Sequence, residues 1–165
     1  MTGERATFSQ LAATLDYPLF VVTATDGRLR DGCMIGFATQ CSIHPPRFLA
    51  CLSRENRTFR IACDARALAV HVLPRTELAL AKLFGGETGD EIDKLERCDW
   101  SAGPHGLPIL AGCPTWFAGE IRARHDLGDH VGFVLDPIET HLGPAVETVF
   151  FQDVKDRIVP GHPAS

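Results

Sequence analysis

Short runs of β-branched and aromatic residues, each closed by a tight-turn pair or a proline, recur along this chain and confine it to an antiparallel sheet. Residues 18–25 (PLFVVTAT) end at Asp26-Gly27, a hairpin pair. Residues 33–43 read as the next strand and stop at Pro45-Pro46, which cannot donate to a ladder. Residues 47–53 (RFLACLS) are apolar on both faces, as a central strand is, and residues 67–73 (ALAVHVL) repeat the pattern. Over residues 115–124, Phe117, Gly119, Ile121 and Ala123 alternate with Glu120, Arg122 and Arg124. Gly128-Asp129 then turns the chain into residues 130–135, and residues 147–151 read as a last strand.

Helices enter as insertions between these strands. Residues 7–15 read as one. Residues 54–63 read as another, with Phe59, Ala62 and Cys63 on one face. A third covers residues 76–84, capped by Thr76 and stopped by Gly85-Gly86. Residues 87–107 read as a long polar surface excursion, and the tail from Val154 as loosely held. Strands joined by tight turns predict a mainly β chain, closed into an antiparallel Greek-key barrel with a few short helices.

Length sets the organisation. With 165 residues, the chain reads as one domain over 16–152, preceded by a helical extension (1–15) and followed by a tail (153–165). The net charge of −5 and the absence of a Lys/Arg cluster argue against nucleic acid as a partner. No apolar run reaches bilayer length and no leader pattern opens the chain, so the expectation is a cytoplasmic protein without membrane contact. Six cysteines occur without a C-x-x-C pair; they read as small core residues, and no metal site is expected.

Three stretches carry potential chemistry. Ser53, Arg54, Asn56 and Thr58 lie between a buried strand and a helix, where hydroxyl, amide and guanidinium donors can hold an anion such as a phosphate. The same residues can equally cap the helix and face water. Met34, Ile35, Gly36, Phe37, Ala38, Thr39 and Gln40 contain a glycine inside a strand pattern. That marks either a close approach of backbone amides to a flat heteroaromatic ring or an ordinary kink. His130, just after a turn, can orient a cofactor or simply be solvated.

Taken in order, these stretches make the chain resemble the flavin reductase family, the FMN-binding split barrels that include reductase components of two-component monooxygenases. The resemblance runs from Asp16 to about Pro137, roughly three-quarters of the chain. It is carried by PLFVVTATDG, by GCMIGFATQCSIHPP (32–46), by Ser53 to Thr58, by ALAVHVL, by AKLFGG, by HGLPIL (105–110) and by Gly128-Asp129-His130.

The resemblance implies a split β-barrel and a homodimer with FMN, or alternatively FAD, held between the subunits. It implies that Met34 to Gln40 line the flavin ring through backbone amides, that Ser53 to Thr58 hold its phosphate, and that His130 stands near ring and nicotinamide. One departure is plain: the family often has a hydroxyl-rich T-A-S-S-F where this chain has Met34 to Ala38, so backbone bonds carry more of the contact and Gln40 can supply a replacement amide. The implied activity is an NAD(P)H:flavin oxidoreductase, using NADH or NADPH, that serves a partner flavin-dependent monooxygenase. No side-chain nucleophile or acid–base dyad is expected, and no Rossmann glycine motif settles the choice of donor. The competing readings are a non-catalytic flavin carrier or sensor, a flavin-dependent oxidoreductase acting on another small molecule, and a barrel that binds no flavin.

Overall fold

The turns organise the sheet. At the first, Asp26 Oδ1 accepts the backbone N–H groups of Leu29 (2.7 Å) and Arg28 (2.8 Å), and Gly27 adopts φ 93°. These bonds hold the Asp26 carboxyl below its usual range, first through the Leu29 and then through the Arg28 N–H. The turn joins β1 (Phe20–Thr25) to β2 (Arg30–Ile35) in an antiparallel pair. The structure, a computed structural model, describes residues 3–162.

Among the described residues, seven of nine strands form one sheet. The remaining large-sheet strands are β3 (Ala38–Ser42), β4 (Arg47–Ser53), β5 (Ala67–Val72), β8 (Trp116–Asp126) and β9 (His130–His141). Their order is β2-β1-β5-β8-β9-β4-β3, and every pairing is antiparallel. A separate two-stranded ribbon pairs β6 (Trp100–Ala102) with β7 (Pro108–Leu110). The architecture is mainly β with short helices, as the sequence predicts, but the barrel is not closed by a ladder. The two edges, β2 and β3, are consecutive in the chain and joined only by Gly36-Phe37, yet they do not pair. The run expected as one strand over 33–43 is therefore two strands, broken where the chain passes from one edge of the sheet to the other.

The central strands are buried on both faces, which explains their apolar runs. Val22 and Ala24 of β1 join Leu52, Leu68, Val70, Phe133 and Leu135 in one core, while Leu19 and Val21 face a second core with Leu73, Phe84, Leu95 and Leu110. Each such buried side chain contributes about 2 kcal/mol relative to exposure. His71 of β5 is also fully buried, and both its nitrogens are used. Nδ1 donates to the Val21 carbonyl (2.9 Å) and Nε2 accepts the Leu110 N–H (3.1 Å), which defines the neutral tautomer. Burial pushes its pKa down to about 4.

Helices α1 (Gly3–Ala12), α2 (Arg57–Ala62), α3 (Leu78–Gly86) and α4 (Phe151–Val154) complete the chain. Several sequence expectations change here. Helix α1 starts earlier and ends sooner than 7–15, and contributes no buried residue. Helix α2 starts at Arg57 rather than at residue 54 and buries Thr58, Ile61 and Ala62, while Cys63 is exposed. Helix α3 is entered from Glu77, not capped by Thr76, and runs through Gly85-Gly86 rather than stopping before them. A methyl group on Gly85 would overlap the Met34 thioether's terminal carbon, so close packing is what this glycine serves.

The 87–107 excursion is not all surface. Lys94 and Leu95, in a 3-10 turn over Lys94–Arg97, are buried. Lys94 Nζ lies 3.8 Å from Asp31 Oδ1, with the Glu87 carbonyl at 3.4 Å, and Thr58 Oγ1 donates to Asp31 Oδ2 at 3.2 Å. Residues 147–151 form no strand but two isolated bridges, Pro74 with Thr148 and Pro18 with Phe150. The tail is held, not loose: Val154 is buried, Ile158 packs against the second core, and the Gly161 N–H reaches the Gly85 carbonyl at 3.3 Å.

Candidate functional site

A cavity of about 210 Å³ opens where the sheet fails to close. One side comes from the end of β2 and the link that follows: Met34, Ile35, Gly36 and, at the rim, Phe37. The ends of β4 and β9 add Cys51, Ser53 and His130, and Asn56 stands at the entrance to α2. Tyr17, Leu19, Phe151 and His162 complete the lining. Stretches separated by nearly the whole chain thus meet at one point.

The lining is largely apolar and aromatic. Tyr17 stacks on Phe151 (4.9 Å between centroids) and stands 6.0 Å from Phe37, whose ring lies 5.1 Å from the His130 imidazole. Burial, and then the Asp16 charge, raises the Tyr17 pKa, and burial raises that of the Cys51 thiol; both remain neutral near pH 7. Polar donors sit at the edges. The N–H groups of Gly36 and Phe37 meet no acceptor among the described residues, whereas the Phe37 carbonyl accepts from Cys51 N–H at 2.9 Å. Backbone amides beside a flat apolar slot suit the edge of a planar heteroaromatic ring, and Ser53 and Asn56 offer a hydroxyl and an amide at the other end. The residues present therefore fit a flavin.

His130 is held in place from two sides. Its Nδ1 pairs with Asp129 Oδ1 at 2.6 Å. The turn before it is braced by Arg54, whose Nε donates to the Gly128 carbonyl (2.9 Å) and whose guanidinium pairs with Asp126 (2.9 Å). The bond from the Arg54 guanidinium to Asp126, and then the Gly128 N–H, hold the Asp126 carboxyl below its usual range.

The sequence-derived candidates divide accordingly. Met34, Ile35, Gly36, Phe37, Ser53, Asn56 and His130 are brought together in the cavity. Ala38, Thr39 and Gln40 continue into β3 and do not line it; Gln40 Nε2 donates to the Ser42 carbonyl instead. Arg54 is committed to the β8–β9 turn, and Thr58 points inward to Asp31. Sequence reading missed Tyr17, Leu19, Cys51, Phe151 and His162 as lining residues. For Phe151 the local signal was the apolar Val149-Phe150-Phe151 run. Among the described residues there is no His/Cys/Asp/Glu grouping suited to a metal ion, and no helix is long and apolar enough to cross a membrane.

Comparison with known proteins gives a consistent result. The family model described as flavin reductase like domain matches residues 12–158. The chain is 31% identical, over 67% of its length, to a probable flavin reductase of Rhizobium meliloti (strain 1021), of which it covers 35%. It is 30% identical, over 67% of its length, to the flavin-dependent monooxygenase reductase subunit HsaB of Rhodococcus jostii (strain RHA1), of which it covers 55%. The chain thus spans about a third to a half of these two relatives. Among solved structures, the NADH:FAD oxidoreductase SgcE6 of Streptomyces globisporus superposes with a TM-score of 0.80 at 24% identity, over 89% of this chain and 87% of that one.

Proposed function

The chain belongs to the flavin reductase family, and from that premise we propose that it is an NAD(P)H:flavin oxidoreductase that binds FMN, with FAD as the alternative, and hands reduced flavin to a partner flavin-dependent monooxygenase. The observation that carries this reading is the convergence of Met34–Phe37, Ser53, Asn56 and His130 on one cavity. A relative that is itself a monooxygenase reductase subunit supports the partner.

Bound in this cavity, a flavin supplies the acceptor for a hydride from NADH or NADPH, chemistry that resides in the cofactor rather than in any side chain. The chain's own residues bind and orient. Tyr17, Leu19 and Phe37 would exclude water from the ring faces, and the N–H groups of Gly36 and Phe37 would donate to its edge and favour negative charge there. Ser53 and Asn56 would hold the phosphate. Arg54 and Thr58 act at one remove, the first through the turn bearing His130 and the second through Asp31. His130, its Nδ1 held by Asp129, would line the nicotinamide side and hold or pass a proton at Nε2.

A homodimer is part of the proposal. The cavity is smaller than the roughly 300–1,000 Å³ usual for a drug-sized ligand. Phe37, 54% exposed at its rim, and Leu127, 57% exposed in the turn leading to His130, suit cover by a second copy. The cytoplasm is the proposed location; the described cysteines are all free, as suits a reducing compartment.

The test is a flavin titration followed by steady-state oxidation of NADH and NADPH with FMN, FAD or riboflavin. Saturable binding with turnover is expected. Tight binding of one flavin with negligible turnover would make the protein a carrier, and failure to bind any flavin would remove the reading altogether. Light scattering that gives a monomer would remove the homodimer.

A further inference from the structure

We propose that the C-terminal strap, residues 155–162, acting through His162, selects the flavin mononucleotide over both riboflavin and the dinucleotide, a refinement that rests on the flavin reading above. The first observation is the behaviour of Asn56. It occupies the N-cap of α2, where an Asn side chain ordinarily accepts a backbone N–H of the first turn, but it makes no such bond. Its Nδ2 instead faces His162 Nε2 at 3.2 Å. Since an amide nitrogen only donates, the imidazole nitrogen is the acceptor.

Both side chains line the cavity, beside Ser53. A terminal phosphate entering between them accepts from Asn56 in place of His162. The imidazole then turns donor, by tautomer exchange or by taking a proton, and the phosphate gains a second bond from the same pair. Riboflavin, ending in a neutral hydroxyl, has no phosphate to place there and forgoes both charge-assisted bonds. Among the described residues Lys94 is the only buried Lys or Arg, and it is paired with Asp31, so the strap is what adds a second side chain beside Asn56 at this end of the cavity.

The second observation is that the strap is pinned where it crosses. Ile158 packs over Gly85, the Gly161 N–H reaches the Gly85 carbonyl, and a side chain on Gly161 would fall 2.5 Å from the Glu87 carbonyl carbon and 2.9 Å from the Thr88 nitrogen. The Glu87–Thr88 peptide, which cannot swing away as a side chain can, leaves no room there for anything but glycine. A nucleotide ending at its phosphate fits behind this strap. One carrying an adenylate beyond the phosphate must displace it, and offers there only the singly charged inner phosphate of a pyrophosphate in return.

Fluorescence titration with FMN, FAD and riboflavin tests this on the full chain and on three variants: His162→Ala, Gly161→Val and a chain ending at Val159, which keeps Ile158 in place. The full chain is expected to bind FMN tightest. His162→Ala should weaken FMN about tenfold and leave riboflavin within about twofold. Gly161→Val and the shortened chain should each narrow the FMN-to-FAD preference by about fivefold or more. An FMN-to-riboflavin ratio unmoved by His162→Ala, or an FMN-to-FAD ratio unmoved by both strap variants, overturns the proposal while leaving flavin binding intact. A full chain that binds no flavin overturns the functional reading as well.

Discussion

Gly36 lies flat against the ring of Tyr17: a methyl group on this glycine would overlap Cε2 and come within 2.9 Å of Cδ2. Tyr17 is itself stacked on Phe151 at 4.9 Å, so its ring cannot yield without disturbing the end of the chain. Gly36→Ala is expected to cost about 1–3 kcal/mol of stability, as overpacking does, and to weaken FMN about tenfold by driving Tyr17 into the cavity. Thermal melts and calorimetric titration measure the two effects; unchanged affinity would show that Tyr17 does not wall the site.

His130→Ala should lower NAD(P)H oxidation by roughly ten- to a hundredfold while the fold is kept, because alignment at the ring is lost. Asp129→Asn should give a smaller loss in the same direction, and Arg54→Ala a loss through loosening of the turn rather than through phosphate binding. Steady-state kinetics with far-UV circular dichroism separates these cases. Wild-type rates for His130→Ala would withdraw its role.

His71 gives the fold an acid-sensitive component. Its native pKa is about 4, against 6.5 for the unperturbed group, so between those values the unfolded chain binds a proton that the folded one refuses. Stability is therefore full above about pH 6.5 and falls as the pH drops toward 4, by about 3 kcal/mol in all. Urea denaturation across this range reads the slope. His71→Gln, which keeps a donor for Val21 and an acceptor for Leu110, should flatten it.

The Lys94–Asp31 pair is buried on both sides, at 0% and 2% side-chain exposure. Removing one partner strands the other charge, so Lys94→Met is expected to cost about 3–5 kcal/mol. Adding Asp31→Asn to it should recover much of that loss. Denaturant midpoints for the single and double variants form the cycle, and strict additivity would mean that the two groups do not act as a pair.

Strands β1, β4 and β5 were legible because their signals are local: apolar runs bounded by Asp26-Gly27, by Pro45-Pro46 and by the polar stretch before Ala67. The cavity-lining segments were legible for a related reason, since Gly36 interrupts a strand pattern and Ser53–Asn56 bridge strand and helix. What escaped depends on distant partners. Gly36 hints at an irregularity between residues 33 and 43, but that the strand breaks there, with the Tyr17 ring seated on the glycine, depends on a residue outside the run. Lys94 reads as a surface lysine until Asp31 is brought to it from 63 positions earlier in the sequence. Thr58 reads as a phosphate ligand until the same aspartate turns it inward. His162 reads as part of a loose tail until Asn56 meets it.

The sheet order also fixes when the chain can fold. Strand β9, residues His130–His141, sits between β8 and β4 and, among the described residues, is the only hydrogen-bonded link in the sheet between the β2-β1-β5-β8 side and the β4-β3 side. During synthesis the β3-β4 hairpin emerges long before β9, and β4 must wait with one edge bare for a partner about eighty residues downstream. A ribosome stalled before residue 141 therefore carries β4 and β8 not yet joined through a ladder, with open edges, and chaperone dependence should peak in that interval.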